Sequence, residues 1–149
     1  MSADRIERTI VLRAPRSRVW RALSRAEEFG AWFGMALEGA FEPGARLTGR
    51  MTTPGHEHSS ILIAVEQMQP EHLLSYRWHP GAVEPGVDYA HEPTTLVEFH
   101  LADVAGGTQL TVVESGFERI PLARRAAAFR ENDQGWAEQL ANLARYVAA

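Results

Sequence analysis

Apolar and polar positions along this chain alternate at one period and then settle into another. Ile6, Ile10 and Leu12 fall on one side of an extended segment whose other side carries Glu7, Thr9, Val11 and Arg13, the two-residue period of a strand. Pro15 closes that strand. Proline lacks an N–H and suits the first turn of a helix, and Val19, Trp20, Leu23 and Ala26 follow at helical spacing, with a break expected before Glu27 to Trp32. Phe41-Glu42-Pro43-Gly44-Ala45 is a turn signal, so strands should flank it. Arg46 to Thr53, Ser60 to Met68, His72 to Trp78, Thr94 to Ala102 and Thr108 to Ser115 all show β-branched or aromatic alternation. Pro54-Gly55, Pro70-Glu71, the segment 79–93 and Gly106-Gly107 separate them, and such connections predict an antiparallel meander.

After Pro121 the period lengthens. Leu122, Ala126, Phe129, Trp136, Leu140, Leu143 and Val147 trace the stripe of a long amphipathic helix. Asp133 falls on that stripe and Gly135 sits beside it, which predicts either an interruption near Asn132 or a polar group facing an internal space. The order of elements describes an α+β fold in a single domain, 1–149: a curved antiparallel sheet wrapped around a long C-terminal helix, with short helices after the first strand. The sheet must bury one face, and only the last helix is large enough to cover it. A cavity can remain between the two.

Composition narrows the function. A chain of 149 residues, 45% hydrophobic and 23% charged, can bury a substantial core unaided, and a net charge of -4 offers no general attraction to nucleic acid or anionic lipid. With no cysteine there is no disulfide, thiolate metal site or cysteine nucleophile. The N-terminal stretch is broken by charge every few residues, unlike a secretory signal, and no segment is long and apolar enough to insert in a membrane, so a cytoplasmic protein is expected.

Candidate chemistry gathers at few positions. His56 and His58 flank Glu57, and His79 and His91 frame the segment 79–93, but neither pair has the spacing that presents two imidazoles to one zinc, so no metal is expected. Asp88, Tyr89, His91 and Glu92 could turn toward a cavity and do acid–base work, or form a polar surface loop. His72 and His100 read as surface residues. Glu114 shares a strand face with Leu110 and Val112, which should point inward, so its carboxylate needs a partner; Arg50 or Arg77 is expected to supply it. The aromatic set of Trp20, Trp32, Phe33, Tyr76, Trp78, Phe99, Phe117, Phe129 and Trp136 is rich enough both to fill a core and to line a pocket.

Val19-Trp20-Arg21-Ala22-Leu23, Trp32-Phe33, Phe41-Glu42-Pro43-Gly44, Arg77-Trp78-His79-Pro80, Thr94 to Phe99, Gly107 to Thr111, Glu114-Ser115-Gly116-Phe117 and Gly135-Trp136 run in an order that resembles the START-like (SRPBCC, helix-grip) superfamily, in the branch named after activators of the heat-shock protein 90 ATPase. The resemblance implies a deep cavity between sheet and C-terminal helix, used in relatives to bind hydrophobic small molecules, to catalyse reactions in some branches, and to contact a chaperone in the eukaryotic branch. Binding of a hydrophobic or amphipathic small molecule is the first expectation, with Trp32, Phe33, Trp78, Phe117, Phe129 and Trp136 as apolar walls and Arg50, Tyr89, His91 and Glu114 as polar groups. A cyclase- or hydrolase-type enzyme using Tyr89 and His91 or Glu114 is one alternative, and a chaperone-linked or regulatory module is another. No cofactor is expected, since neither iron–sulfur cysteines nor a dinucleotide-binding glycine fingerprint is present. Sheet edges and aromatics could also pair two copies into a homodimer.

Overall fold

The computed structural model describes residues 5–52, 54, 60–80 and 91–148. Its strands are β1 (Arg5–Leu12), β2 (Met35–Glu38), β3 (Arg46–Met51), β4 (Ser60–Gln69), β5 (Leu73–Trp78), β6 (Thr95–Val104) and β7 (Gly107–Ser115). Helices α1 (Arg16–Ser24) and α2 (Ala26–Phe33) follow β1, and α3 (Leu122–Ala148) follows a single 3-10 turn at Phe117–Arg119. The expected meander is present: the strands form one antiparallel, curved sheet in the order β1-β7-β6-β5-β4-β3-β2. Consecutive strands from β2 to β7 are neighbours, and β1 joins beside β7 in a register running from Arg5 opposite Ser115 to Leu12 opposite Thr108.

Alternation decides which face is buried. Leu47, Ile63, Val65, Leu74, Tyr76, Trp78, Val97, Phe99, Leu110 and Val112 all point into the core, while the positions between them are mostly polar. In β4 the register slips between Val65 and Gln67, leaving Glu66 as an extra residue. A bulge of this kind bends its strand and strengthens the local twist, which helps the sheet curve around α3.

The break expected between the first helices falls at Arg25, whose backbone is extended (φ -107, ψ 127). Helix α2 stops at Gly34, with φ 88, a left-handed conformation that glycine adopts without a Cβ clash. The Gly34 N–H closes the helix by donating to the Gly30 carbonyl at 2.8 Å, which leaves Phe33 at the very end of α2. Glu28 then ties three helices together. Its carboxylate accepts from Arg18 at 2.8 Å, Arg21 at 3.0 Å and the Tyr146 hydroxyl at 3.1 Å. Burial pushes this carboxyl up, but hydrogen bonds from Arg18 and Tyr146 and the charges of Arg18 and Arg21 together outweigh it and hold Glu28 below the usual carboxylate value.

Helix α3 is continuous over its 27 residues, so no interruption occurs at Asn132 or Gly135. Asp133 accepts a 3.0 Å hydrogen bond from Arg8 on the inward side of β1, which accounts for an acid on the helix stripe. The buried stripe consists of Ala128, Trp136, Leu140, Leu143 and Val147. Leu122, placed on it by spacing, is 79% exposed, because the first turn of α3 precedes the part of the helix packed on the core. No described helix is long and apolar enough to cross a membrane.

Candidate functional site

Glu114 points inward from β7 and is fully buried, the outcome its strand face predicts. Its partners are not arginines. Oε2 accepts from the Trp78 indole N–H at 2.8 Å and the Thr95 hydroxyl at 2.5 Å, and Oε1 accepts from the Trp136 indole N–H at 2.8 Å. The Asn132 amide lies 3.0 Å from both oxygens. Indole N–H groups can only donate, so both oxygens act as acceptors, the pattern of a carboxylate held by neutral donors. One side chain thereby fastens the end of β5, the start of β6 and the middle of α3 to β7. Hydrogen bonds to an ionised group are each worth roughly 1.5–3 kcal/mol, about twice the neutral kind, and a buried acceptor without them would be costly.

Two of those donors form the floor of a cleft. The indoles of Trp78 and Trp136 stack at 5.6 Å with 26° between their planes, and Phe33 meets both edge-on at 5.9 Å and 6.3 Å. Glu131, Asn132, Gly135 and Gln139 of α3 complete a cleft of about 100 Å³. Gln139 donates to the Phe33 carbonyl at 2.9 Å, fixing the end of α2 against α3 and with it the cleft wall. At Gly135 an added Cβ would meet no described atom within 4 Å, so α3 leaves open space at that position. Mid-helix glycine costs about 0.5–1 kcal/mol relative to alanine, so this open position comes at a cost in helix propensity.

The other expected residues lie elsewhere. Trp32 is a core residue whose indole donates to the Ala22 carbonyl at 2.9 Å, and Phe117 packs edge-on against Phe129 at 5.1 Å without lining the cleft. Arg50 is exposed on the outward side of β3, and Arg77 pairs with Glu66 at 2.8 Å on the outward side of β5; strand alternation carries both away from Glu114. His91 is exposed and is not a donor to Glu114, so no His91–Glu114 acid–base pair is assembled. Tyr89, Asp88, His56 and His58 lie outside the described residues. Of the segment 79–93, the two ends are held at α3: Arg124 donates to the Glu92 carboxylate at 2.6 Å and to the Pro80 carbonyl at 2.9 Å, and His79 meets the Glu92 carbonyl at 3.1 Å.

The neutral donors to Glu114 escaped a search for a counter-charge. A usable signal did exist: buried indoles need acceptors, and Asn132 sits beside an apolar stripe where an amide is justified only by a partner. Among the described residues, Phe29, Tyr76, Phe99, Trp78 and Trp136 pack into the space between sheet and helix beneath the cleft.

Residues 13–148 match the family described as "Activator of Hsp90 ATPase homolog 1-like protein". The chain belongs to that family. Solved structures agree on the fold. A protein from Rhodobacter sphaeroides is 26% identical with a TM-score of 0.73, covering 99% of this chain and 93% of its own. The Aha1 dimer from Colwellia psychrerythraea is 15% identical with a TM-score of 0.72, covering 96% and 95%. DynU16, of the dynemicin biosynthetic locus, is 24% identical with a TM-score of 0.75; the match covers 98% of this chain but 48% of that one, so this member of the Hsp90-activator-like family spans about half its length. A comparison with curated proteins finds no match.

Proposed function

We propose that this protein binds a small hydrophobic or amphipathic molecule whose apolar end enters the cleft between the end of α2, the end of β5 and the middle of α3. The observation that carries this reading is the cleft at Gly135, an open position in the middle of a long helix directly beside the Trp78–Trp136 stack. The wall chemistry supports it: aromatic faces bury an apolar group, and Asn132 and Gln139 at the rim supply polar contacts. A volume of about 100 Å³ limits the inserted part to a small ring or a short branched chain.

Titration of the labelled protein with acetophenone or α-methylstyrene, followed by NMR, tests the reading. The Trp78 and Trp136 indole signals and the Gly135 amide should shift, and Gly135→Leu should abolish the response while leaving the fold intact. Shifts that survive in Gly135→Leu, or no shifts with either compound, would overturn it. An interaction role is the second reading, supported by the family description and by a dimeric relative. It expects a concentration-dependent mass in sedimentation or a changed ATPase rate of a cognate chaperone, and neither effect would remain if the protein acts alone.

A further inference from the structure

Tyr76 lies on the inward side of β5, two residues before Trp78, and is fully buried. Its ring packs against Trp78 at 5.2 Å, Phe99 at 6.1 Å and Phe29 at 6.3 Å. Among the described residues its hydroxyl is the one buried side-chain polar atom with no hydrogen-bond partner. Phenylalanine would make the same ring contacts without desolvating a hydroxyl for no return. Burial, and next the negative charge of Glu114, push this phenol well above the ordinary tyrosine value, so the hydroxyl keeps its proton and remains a hydrogen-bond donor across the physiological range.

The nearby acceptor is already used. Both Glu114 oxygens receive donors from Trp78, Thr95, Asn132 and Trp136, which leaves Tyr76 a donor in search of an acceptor. Tyr76 is one ring away from the cleft wall on one side and two on the other: Trp78 packs against Tyr76 directly, and Phe33 stacks at 5.3 Å on Phe29, which in turn meets Tyr76. Glu114 also sets the sign of what can approach. A negatively charged ligand group would be repelled by a carboxylate in a dry interior, whereas a neutral carbonyl would not.

We propose that Tyr76 is the specificity-determining donor of this site, and that the ligand carries, on the apolar part that enters the cleft, an uncharged hydrogen-bond acceptor, a ketone, aldehyde, ester or amide carbonyl, which reaches the phenol as the Phe33 ring turns aside while Trp78 stays bonded to Glu114. This rests on the cleft being a ligand site.

Acetophenone and α-methylstyrene have nearly the same shape and differ in one carbonyl, so their difference in desolvation is common to every variant and cancels between them. Their dissociation constants for the wild type and Tyr76→Phe, measured by NMR titration, form a cycle. The ratio should move against acetophenone by about tenfold in Tyr76→Phe, the size of one buried hydrogen bond. Free Tyr76→Phe should unfold at no lower denaturant concentration than the wild type. An unchanged ratio would overturn the inference while leaving the cleft as a binding site. A marked loss of stability in free Tyr76→Phe would also overturn it, because the hydroxyl would then have a partner already. If neither compound binds at Gly135 and the two indoles, the reading of the cleft fails and the inference with it.

Discussion

The inner cleft can be set beside a hollow on the opposite face of the sheet. That outer hollow has a volume of about 310 Å³ and is lined by Arg5, Ser115, Leu96 and Arg77, which are successive cross-strand partners on β1, β7, β6 and β5, together with Arg119. It is three times the size of the cleft and more highly charged. Yet Arg5 is already paired with Glu7 at 3.0 Å and Arg77 with Glu66 at 2.8 Å, and all four side chains are 35% exposed or more. Water can replace each of those contacts at small cost. Under the inner cleft, Glu114 is fully buried and Tyr76 is unpartnered, so each polar atom there carries a desolvation cost that its surroundings must meet. Volume locates concavity; dry polar groups locate where contacts are decisive.

The sharpest way to break the comparison is Glu114→Ala. It strands the Trp78, Thr95, Asn132 and Trp136 donors in the core, and chemical denaturation should show a loss of about 3–5 kcal/mol. A loss below about 1 kcal/mol would place the inner cluster on a par with the surface pairs. Next in size is Glu28→Gln, which should cost about 1–2 kcal/mol at neutral pH by weakening the link between α1, α2 and α3. Because the folded-state value of Glu28 is lowered, its contribution is present above the unfolded carboxylate value and is lost as pH falls through the folded value. The gap between variant and wild type should therefore narrow in urea titrations run at progressively more acidic pH. Gly135→Ala should raise stability by about 0.5–1 kcal/mol in the same assay, since the new Cβ meets no described atom. Smallest of all, Arg77→Ala should change stability by no more than about 0.5 kcal/mol, and added salt should remove even that difference.

Six of the seven strands were legible because burial on one face imposes a period of two; β2, only four residues long, is too short to display that period and was expected only as a strand flanking the turn at 41–45. Glu114 was legible for the same reason: it falls in phase with Leu110 and Val112. Its partners were not, since the expectation of a counter-charge pointed to Arg50 and Arg77, whereas side-chain direction sends both outward. Asp133 and Gly135 registered as irregularities in a helix, with an interruption expected near Asn132; the helix instead runs through, Asp133 pairs with Arg8, Asn132 donates to Glu114 and Gly135 is an open position. The Tyr76 hydroxyl had no trace in the pattern at all; an aromatic on an inward position looks complete, and its missing partner becomes visible only when every neighbouring acceptor has been assigned.

The pairing of β1 with β7 also governs how this chain can be built. Most strand contacts join near neighbours, but β1 waits for a partner about a hundred residues away, and Glu114 and its donors come together only when β7 and α3 have both been made. Long loops must close before such contacts are rewarded, which slows folding. During synthesis the aromatic face of β5 and β6 would stand uncovered until the last helix arrives, and that interval is when two growing chains are most at risk of sticking to one another.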